Sequence, residues 1–302
     1  SVARPAGFEA AGEGTALGPG VTRWKGGDRV MGRCDGAFAE HGCVTADEVF
    51  AVPARLTWEQ AAATTVVFLT VYEALMAHGR LVAGEWMLVA GITSGVGVAA
   101  LQVGKALGAH VIGTSGSLEK LERLKPLGLD VALHTRAPDF APAVMQATHN
   151  KGVDLVVNNV GGTVFSECLR CMAFQGRLAT VGYVDGSLKS DIDLEALHSQ
   201  RLHLFGVSNK NRTPAQRAGT VQGFVRDILP AINDRRITEE EAHRAMDEAA
   251  SGPIEEGSVG GGTGMNCYGF KGGSGTSSRQ VSLGGQTYTV AAFLQCNFGD
   301  RH

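Results

Sequence analysis

A glycine-rich turn stands where an apolar run gives way to a helical one. In WMLVAGITSGVGVAALQVGKALGA, Gly95, Gly97 and Ala100 hold the positions of a G-x-G-x-x-A pattern behind the strand-like stretch 86–91. That spacing suits a pyrophosphate. Gly95 is expected to make the tight turn, the bare Gly97 to admit a phosphate to the backbone, and Ala100 to let the helix pack closely on the strand. Thr93, Ser94, Gly95, Val96 and Gly97 then surround a helix N-terminus whose amides and positive dipole end attract an anion. A glycine turn without a ligand is the competing reading. Cofactor choice is written at the end of the next strand, where an NAD site places Asp or Glu against the ribose hydroxyls. This chain has GTSGSLEKLERL there, with Ser115, Ser117, Lys120 and Arg123 and no carboxylate at the strand end. A 2′-phosphate is therefore accommodated, and NADPH is expected over NADH. Lys120 and Arg123 read equally as solvated residues of the following helix.

The cysteines offer less. Six are scattered at 34, 43, 168, 171, 267 and 296, and Cys168 with Cys171 forms a lone C-x-x-C with no second pair at ribbon spacing. An i, i+3 pair on a helix is the expected reading, with no metal. The chain has 302 residues, 44% hydrophobic and 19% charged, enough for a sizeable core and more than one domain. A formal net charge of −3 with interspersed signs gives no field that would gather nucleic acid or an anionic membrane. The apolar stretch 61–77 carries three Thr and Glu73, so a buried helix is expected rather than a span. The N-terminal SVARPAGFEAAGEG lacks the apolar core of a signal peptide, and a cytoplasmic location is expected.

These residues need elements to position them. Residues 1–60 contain short β-like runs, DRVMGRC, AFAEHGCVT and EVFAVP, between turn residues, which predicts small antiparallel structure. From 61 to 207 strands at 86–91, 110–114, 130–134, 153–159, 176–183 and 202–207 are near-continuously apolar, and helical stretches separate the first five. Strands buried on both faces look this way in a parallel sheet, so the fold class is α/β, doubly wound. Pro126 is expected to shorten the second helix. A helical return segment occupies 208–236, with its helix over 214–235. Then the texture changes: Thr238 and Glu241 suggest an N-cap and its box partner, with Ile237 and Ala242 at staple positions, and Gly252-Pro253 suggests a stop. A glycine-rich run follows, then two alternating stretches around Gly284-Gly285 that predict a hairpin.

The segments PAGFEAAGEG, WKGGDRVMG, GAFAEH, VVFLTVYEAL, LVAGITSGVGVAALQVGKALGAHVIGTSGSLEKLERLKPLGLD, GVDLVVNNVGG and GRLATVGY together resemble the medium-chain dehydrogenase/reductase superfamily, in its zinc-independent quinone oxidoreductase branch, over about 1–235. Zinc enzymes of that superfamily carry a His-Glu pair where this chain has Phe8 and Glu9, and a four-Cys lobe that is absent here. The resemblance implies a Rossmann domain beside a GroES-like β domain, truncated because family members begin well before PAGFEAAGE, which leaves the acceptor cleft open. It implies hydride transfer from NADPH to a quinone or α,β-unsaturated carbonyl without metal. Thr70, in FLTVY, matches a family threonine close to the nicotinamide, against the reading of an ordinary helix residue. Asn159, Val160 and Gly161 after the fourth strand, and Val181, Gly182 and Tyr183 after the fifth, fall where cofactors lie in such sheets. His134 matches an adenosine-contacting Tyr or is a surface histidine. Pairing through the sixth strand, LHLFGV, into a homodimer is a family trait.

Residues 237–302 resemble instead the L-aminopeptidase/D-amidase esterase family, whose members cleave themselves before a serine that becomes an N-terminal nucleophile. The matching bond is Gly257-Ser258, which makes Ser258 a candidate hydrolase nucleophile. The oxyanion hole and pocket that such a serine requires come from sequence on both sides of the matched region. That absence favours a fused glycine-rich fragment over hydrolysis. Three functions are thus in play: an NADPH-dependent reductase, a self-cleaving aminopeptidase or amidase, and a cofactor-binding fold without turnover.

Overall fold

The computed structural model describes residues 7–238, together with the backbone of short strands between 266 and 295. The chain divides into two compact units, Ser1–Asp247 and Glu248–His302. In the first unit, β1 (Glu9–Glu13), β2 (Arg29–Arg33) and β3 (Val49–Ala51) form a three-stranded antiparallel sheet in that order. The predicted antiparallel texture is present. The run AFAEHGCVT, however, forms turns and bends rather than a strand. Gly36 and Ala37 both donate to the carbonyl of Gly7, which holds this stretch as a loop over the start of β1.

A helix, α1 (Trp58–Val71), leads out of this lobe, started by a capping box in which Thr57 and Gln60 exchange hydrogen bonds. It continues as a π-helical turn, Tyr72–Ala77. The whole segment Trp58–Ala77 is long and apolar enough to cross a membrane by length and composition. Ala61, Phe68, Val71 and Leu75 nevertheless pack into the protein core, and Glu73 is paired with Arg212, so a core helix accounts for it.

Six strands follow: β4 (Trp86–Ala90), β5 (His110–Ser115), β6 (Val131–His134), β7 (Val153–Asn158), β8 (Met172–Thr180) and β9 (His203–Gly206). All pair in parallel, in the order β6-β5-β4-β7-β8-β9. The helices between them are α2 (Gly95–Ala106), α3 (Leu118–Leu124), α4 (Ala141–Ala147), α5 (Gly162–Arg170) and α6 (Leu194–Ser199). Pro126 lies in the 3-10 turn that ends α3, as its position in the sequence suggested. Alternate strand residues face opposite layers: Met87, Val89, Leu155 and Val157 join the core with α1 and α2, while Leu88, Val156 and Leu178 join the core with α4 and α5. This two-sided burial makes the strands apolar throughout. β8 begins at Met172, four residues before the expected start at 176, because Met172 pairs with Val153 ahead of an irregularity in the register. The return segment is two helices rather than one, α7 (Pro214–Asp227) and α8 (Leu229–Asn233), divided at Ile228 just before Pro230.

In the second unit, β10 (Asn266–Cys267) pairs with β11 (Phe270–Lys271), and β12 (Ser274–Leu283) with β13 (Gln286–Gln295), both antiparallel. The hairpin register closes at Leu283 and Gln286, on either side of the predicted Gly284-Gly285 turn. The N-cap pattern of Thr238 with Glu241, the Gly252-Pro253 stop and Ser258 depend on positions outside the described residues.

Candidate functional site

Strand order reverses between β4 and β7, since the chain runs outward through β5 and β6 before crossing back. Loops at the carboxyl ends of the strands flank a crevice at such a point. Here they touch. Gly91 takes a left-handed conformation with φ of 74°, donates to Thr114 Oγ1 at 3.2 Å and abuts Val160 and Asn159. Ile92 donates to the Thr114 carbonyl, Thr93 shares a 2.9 Å hydrogen bond with Ser115, and Gly182 lies against the Asn159 carbonyl. Thr93, Ser115, Asn159, Val160 and Gly182 are thereby brought together.

The expected turn glycine lies elsewhere, and Gly97 has a packing need besides. The sharp turn is made by Gly91, and Gly95 is already the first residue of α2. A Cβ on Gly97 would lie 2.6 Å from Ile92 Cα and closer still to its carbonyl, so this glycine serves the packing of α2 on its own entry loop. The first turn of α2 offers free amides to an anion. Ser94 is its N-cap and takes the Gly97 amide, which leaves the Gly95 and Val96 amides among the first four that no helical carbonyl can reach.

The loop after β7 is organised by Asn158, which no motif in the sequence marks. Its Oδ1 accepts from Val160 and Gly161 at 3.0 Å each, while its Nδ2 donates to the Gly161 carbonyl. The Val181 and Gly182 amides donate to the Asn158 carbonyl, which ties the loop after β8 to the same residue. Asn159, next along, is buried, and neither Oδ1 nor Nδ2 of its side chain has a protein partner. A buried amide left this way costs free energy comparable to a lost hydrogen bond. Its donor and acceptor suit a ligand that carries an amide of its own.

At the far end of the crevice, Ser115 is buried and spent on Thr93 and the Ser117 amide, and Ser117 caps α3 by accepting from Lys120 N. His134, opposite Ser115 in the β5–β6 register, is exposed and within 3.3 Å of the Gly116 carbonyl. Arg136 joins them, although no motif includes it. Its side chain crosses Gly116 so closely that a Cβ there would lie 2.5 Å from Arg136 Cδ. A hint was present in the sequence, a base two residues past His134, but only the β5–β6 pairing places it beside the serines.

Thr70, in the last turn of α1, donates to the Val66 carbonyl at 2.7 Å. With its proton given to the helix, its oxygen keeps only acceptor capacity for any further partner. Tyr183 is exposed at 53%, whereas Val181 and Gly182 before it are half-buried and bonded to Asn158. Cys168 and Cys171 are buried at the end of α5, and burial pushes both thiols up, Cys171 to about 12, so both stay protonated. Among the described residues, no group of three or more His, Cys, Asp or Glu side chains stands close enough to share a metal.

A doubly wound sheet with a glycine turn and unpaired amides at its switch point defines a dinucleotide-binding protein of the Rossmann class. Comparison with known proteins narrows this. A profile of zinc-binding dehydrogenases matches residues 95–221, and one of peptidase family S58 matches residues 192–302. The two overlap over 192–221, where the structure places α6, β9 and the start of α7 in the six-stranded sheet and its layers. A mycobacterial quinone oxidoreductase is 30% identical at a TM-score of 0.68, over 80% of this chain and 78% of that one. The Escherichia coli quinone oxidoreductase complexed with NADPH is 28% identical at 0.68, over 80% and 77%. The CurK enoyl reductase is 26% identical at 0.66, over 78% and 70%. Among curated proteins, a highly-reducing polyketide synthase of Aureobasidium melanogenum is 35% identical over 191 residues, 62% of this chain but 9% of that protein. The chain belongs to the medium-chain dehydrogenase/reductase superfamily, in its zinc-independent quinone oxidoreductase branch, with a C-terminal segment similar to peptidase family S58.

Proposed function

We propose that the first unit is an NADPH-dependent, metal-free reductase of activated double bonds, acting on an α,β-unsaturated carbonyl such as an enoyl thioester, with a quinone as the alternative acceptor. The observation that carries this reading is the buried, unpartnered side-chain amide of Asn159 at the strand-order switch, within reach of the glycine turn. The likeness to an enoyl reductase and to polyketide synthases favours the enoyl acceptor over the quinone.

The residues present fit the cofactor. Gly95 and Val96 would hold the pyrophosphate through their amides, with Thr93 and Ser94 shaping the turn. Asn159 would pair with the carboxamide, and Thr70 would accept from its NH2 group. Backbone at Val160, Gly161, Val181 and Gly182 would wall the nicotinamide side, with Tyr183 at the rim. Arg136, Lys120 and the Ser115-Gly116-Ser117 turn would receive the 2′-phosphate, and His134 would lie against the adenosine. When bound, the reduced nicotinamide supplies a hydride. The protein's part is to hold the ring by amide contacts, which is a positioning effect worth several kcal/mol in oriented reactions.

The test is a fluorescence titration of the full chain with NADPH and NADH, followed by addition of crotonyl thioester or 1,4-benzoquinone. Preferred binding of NADPH and its oxidation by the thioester is the expected result. Oxidation by the quinone alone would reassign the acceptor, binding without oxidation would leave a cofactor-binding fold, and no binding would end the proposal. The match to peptidase family S58 carries a second reading, self-cleavage at Gly257-Ser258 with Ser258 as nucleophile. Intact-mass measurement after prolonged incubation is expected to show one uncleaved species, and a break before Ser258 would reverse that ranking.

A further inference from the structure

We propose that Glu9 is a positioning residue for the nicotinamide, acting on Thr70 through the Val66 peptide groups of α1. The inference rests on the reading of Thr70 as the acceptor of the carboxamide NH2. Glu9 opens β1, and its Oε2 accepts from the Val66 amide at 2.6 Å. Val66 sits in the interior of α1, where an amide ordinarily finds the carbonyl four residues back and needs no side chain. The Val66 carbonyl in turn accepts from the Thr70 hydroxyl at 2.7 Å. A carboxylate on β1 and a hydroxyl in the last turn of α1 are thus connected through one residue of the helix.

The connection has a direction. A negative charge against the Val66 amide polarises the backbone on which Thr70 rests, and hydrogen bonds in such chains reinforce one another. Thr70 is held as a donor into the helix, which leaves its lone pairs for a donor outside it. A threonine locked this way can accept from an NH2 group but cannot donate to an oxyanion, so its contribution is to orientation of the ring. Burial works against the carboxylate and raises its pKa to about 6, partly opposed by the Val66 hydrogen bond. Arg33, its partner across the β1–β2 ladder, does not compensate it and turns instead to Asp35 at 2.7 Å. The anchoring of β1 on α1 would be served as well by an apolar contact, so retaining a carboxyl group there calls for a polar role.

The experiment uses the full chain and four variants, Glu9→Ala, Glu9→Gln, Thr70→Val and the double variant Glu9→Ala/Thr70→Val. Each is titrated with NADPH and with its 3-acetylpyridine analogue, whose methyl ketone replaces the carboxamide NH2. Glu9→Ala and Thr70→Val are each expected to weaken NADPH by about three- to tenfold, the worth of one hydrogen bond. The double variant should be no weaker than Thr70→Val, Glu9→Gln should restore most of the affinity because it keeps an acceptor for Val66, and the analogue should bind all four alike. Equal losses for NADPH and the analogue would mean that Glu9 only supports the fold, and additive losses in the double variant would mean that it does not act through Thr70. Either result overturns the inference while leaving the reductase reading in place. Wild-type protein that fails to bind NADPH would remove both.

Discussion

Arg136 shows how much one residue's meaning depends on its neighbour in space. In the sequence it is a base beyond the third strand of the sheet. In the fold it lies over Gly116, beside the turn that would hold a 2′-phosphate. Replacement by alanine is expected to weaken NADPH about tenfold, the scale of one charge-assisted hydrogen bond, and to leave NADH unchanged. Parallel titrations with the two nucleotides measure this directly. Glu9 carries a prediction of a different kind. Its pKa rises from 4.5 to about 6 on folding, so the folded chain binds that proton more tightly than the unfolded chain does. An acid of this sort favours the fold at low pH, and its contribution is lost as pH rises through about 6. Glu9→Gln keeps an acceptor and has no charge to bury. Urea denaturation should therefore find it more stable than wild type by about 1 to 2 kcal/mol at pH 7.5, with the difference vanishing toward pH 4.5.

The elements that present the site were legible in unequal measure. Six apolar strands, a glycine turn and a helix after it could be read because burial on both faces leaves an unbroken apolar signature. The job of Gly97 could not, since it depends on where the Ile92 carbonyl falls after the turn. A methyl at that position must displace the entry loop of α2. Gly97→Ala is expected to cost about 1 to 3 kcal/mol in denaturant titrations and to impair NADPH binding together with stability. Asn158 escaped for a related reason. Two consecutive asparagines at a strand end look alike in sequence, yet one is saturated by its own loop and the other is left with both polar atoms unpaired. The run AFAEHGCVT has a β-like composition but forms turns, and its first amide, Ala37, with that of Gly36 before it, is bound to the Gly7 carbonyl some thirty residues distant.

At the scale of the first unit, the small antiparallel lobe is secured to the return helix. Phe224, wholly buried on α7, packs against Phe50 of β3 with ring centroids 5.0 Å apart, and Arg217 holds the buried Glu48 at 2.7 Å. Arg55 reaches the carbonyls of Ile232 and Ile237. Residues more than 150 positions apart in sequence thus make one core. Phe224→Ala is expected to destabilise the unit by about 3 to 5 kcal/mol, read by chemical denaturation. Limited proteolysis should then cut first within the loops of residues 14–48, because the lobe they join has lost its anchor.

The sequence by itself determined the doubly wound sheet, the junction of β4 with the helix after it, the absence of an acid at the end of β5, the family and the hairpin in the second unit. Each is a local or periodic property: strand burial repeats every residue, turns need particular side chains, and motifs occupy consecutive positions. Tertiary structure alone decided which asparagine stays unpaired, which arginine reaches the β5 end, and that a carboxylate on β1 is joined to a hydroxyl on α1. Those depend on strand order and helix packing, where side chains distant in sequence meet at hydrogen-bond distance, and no spacing along the chain encodes that meeting.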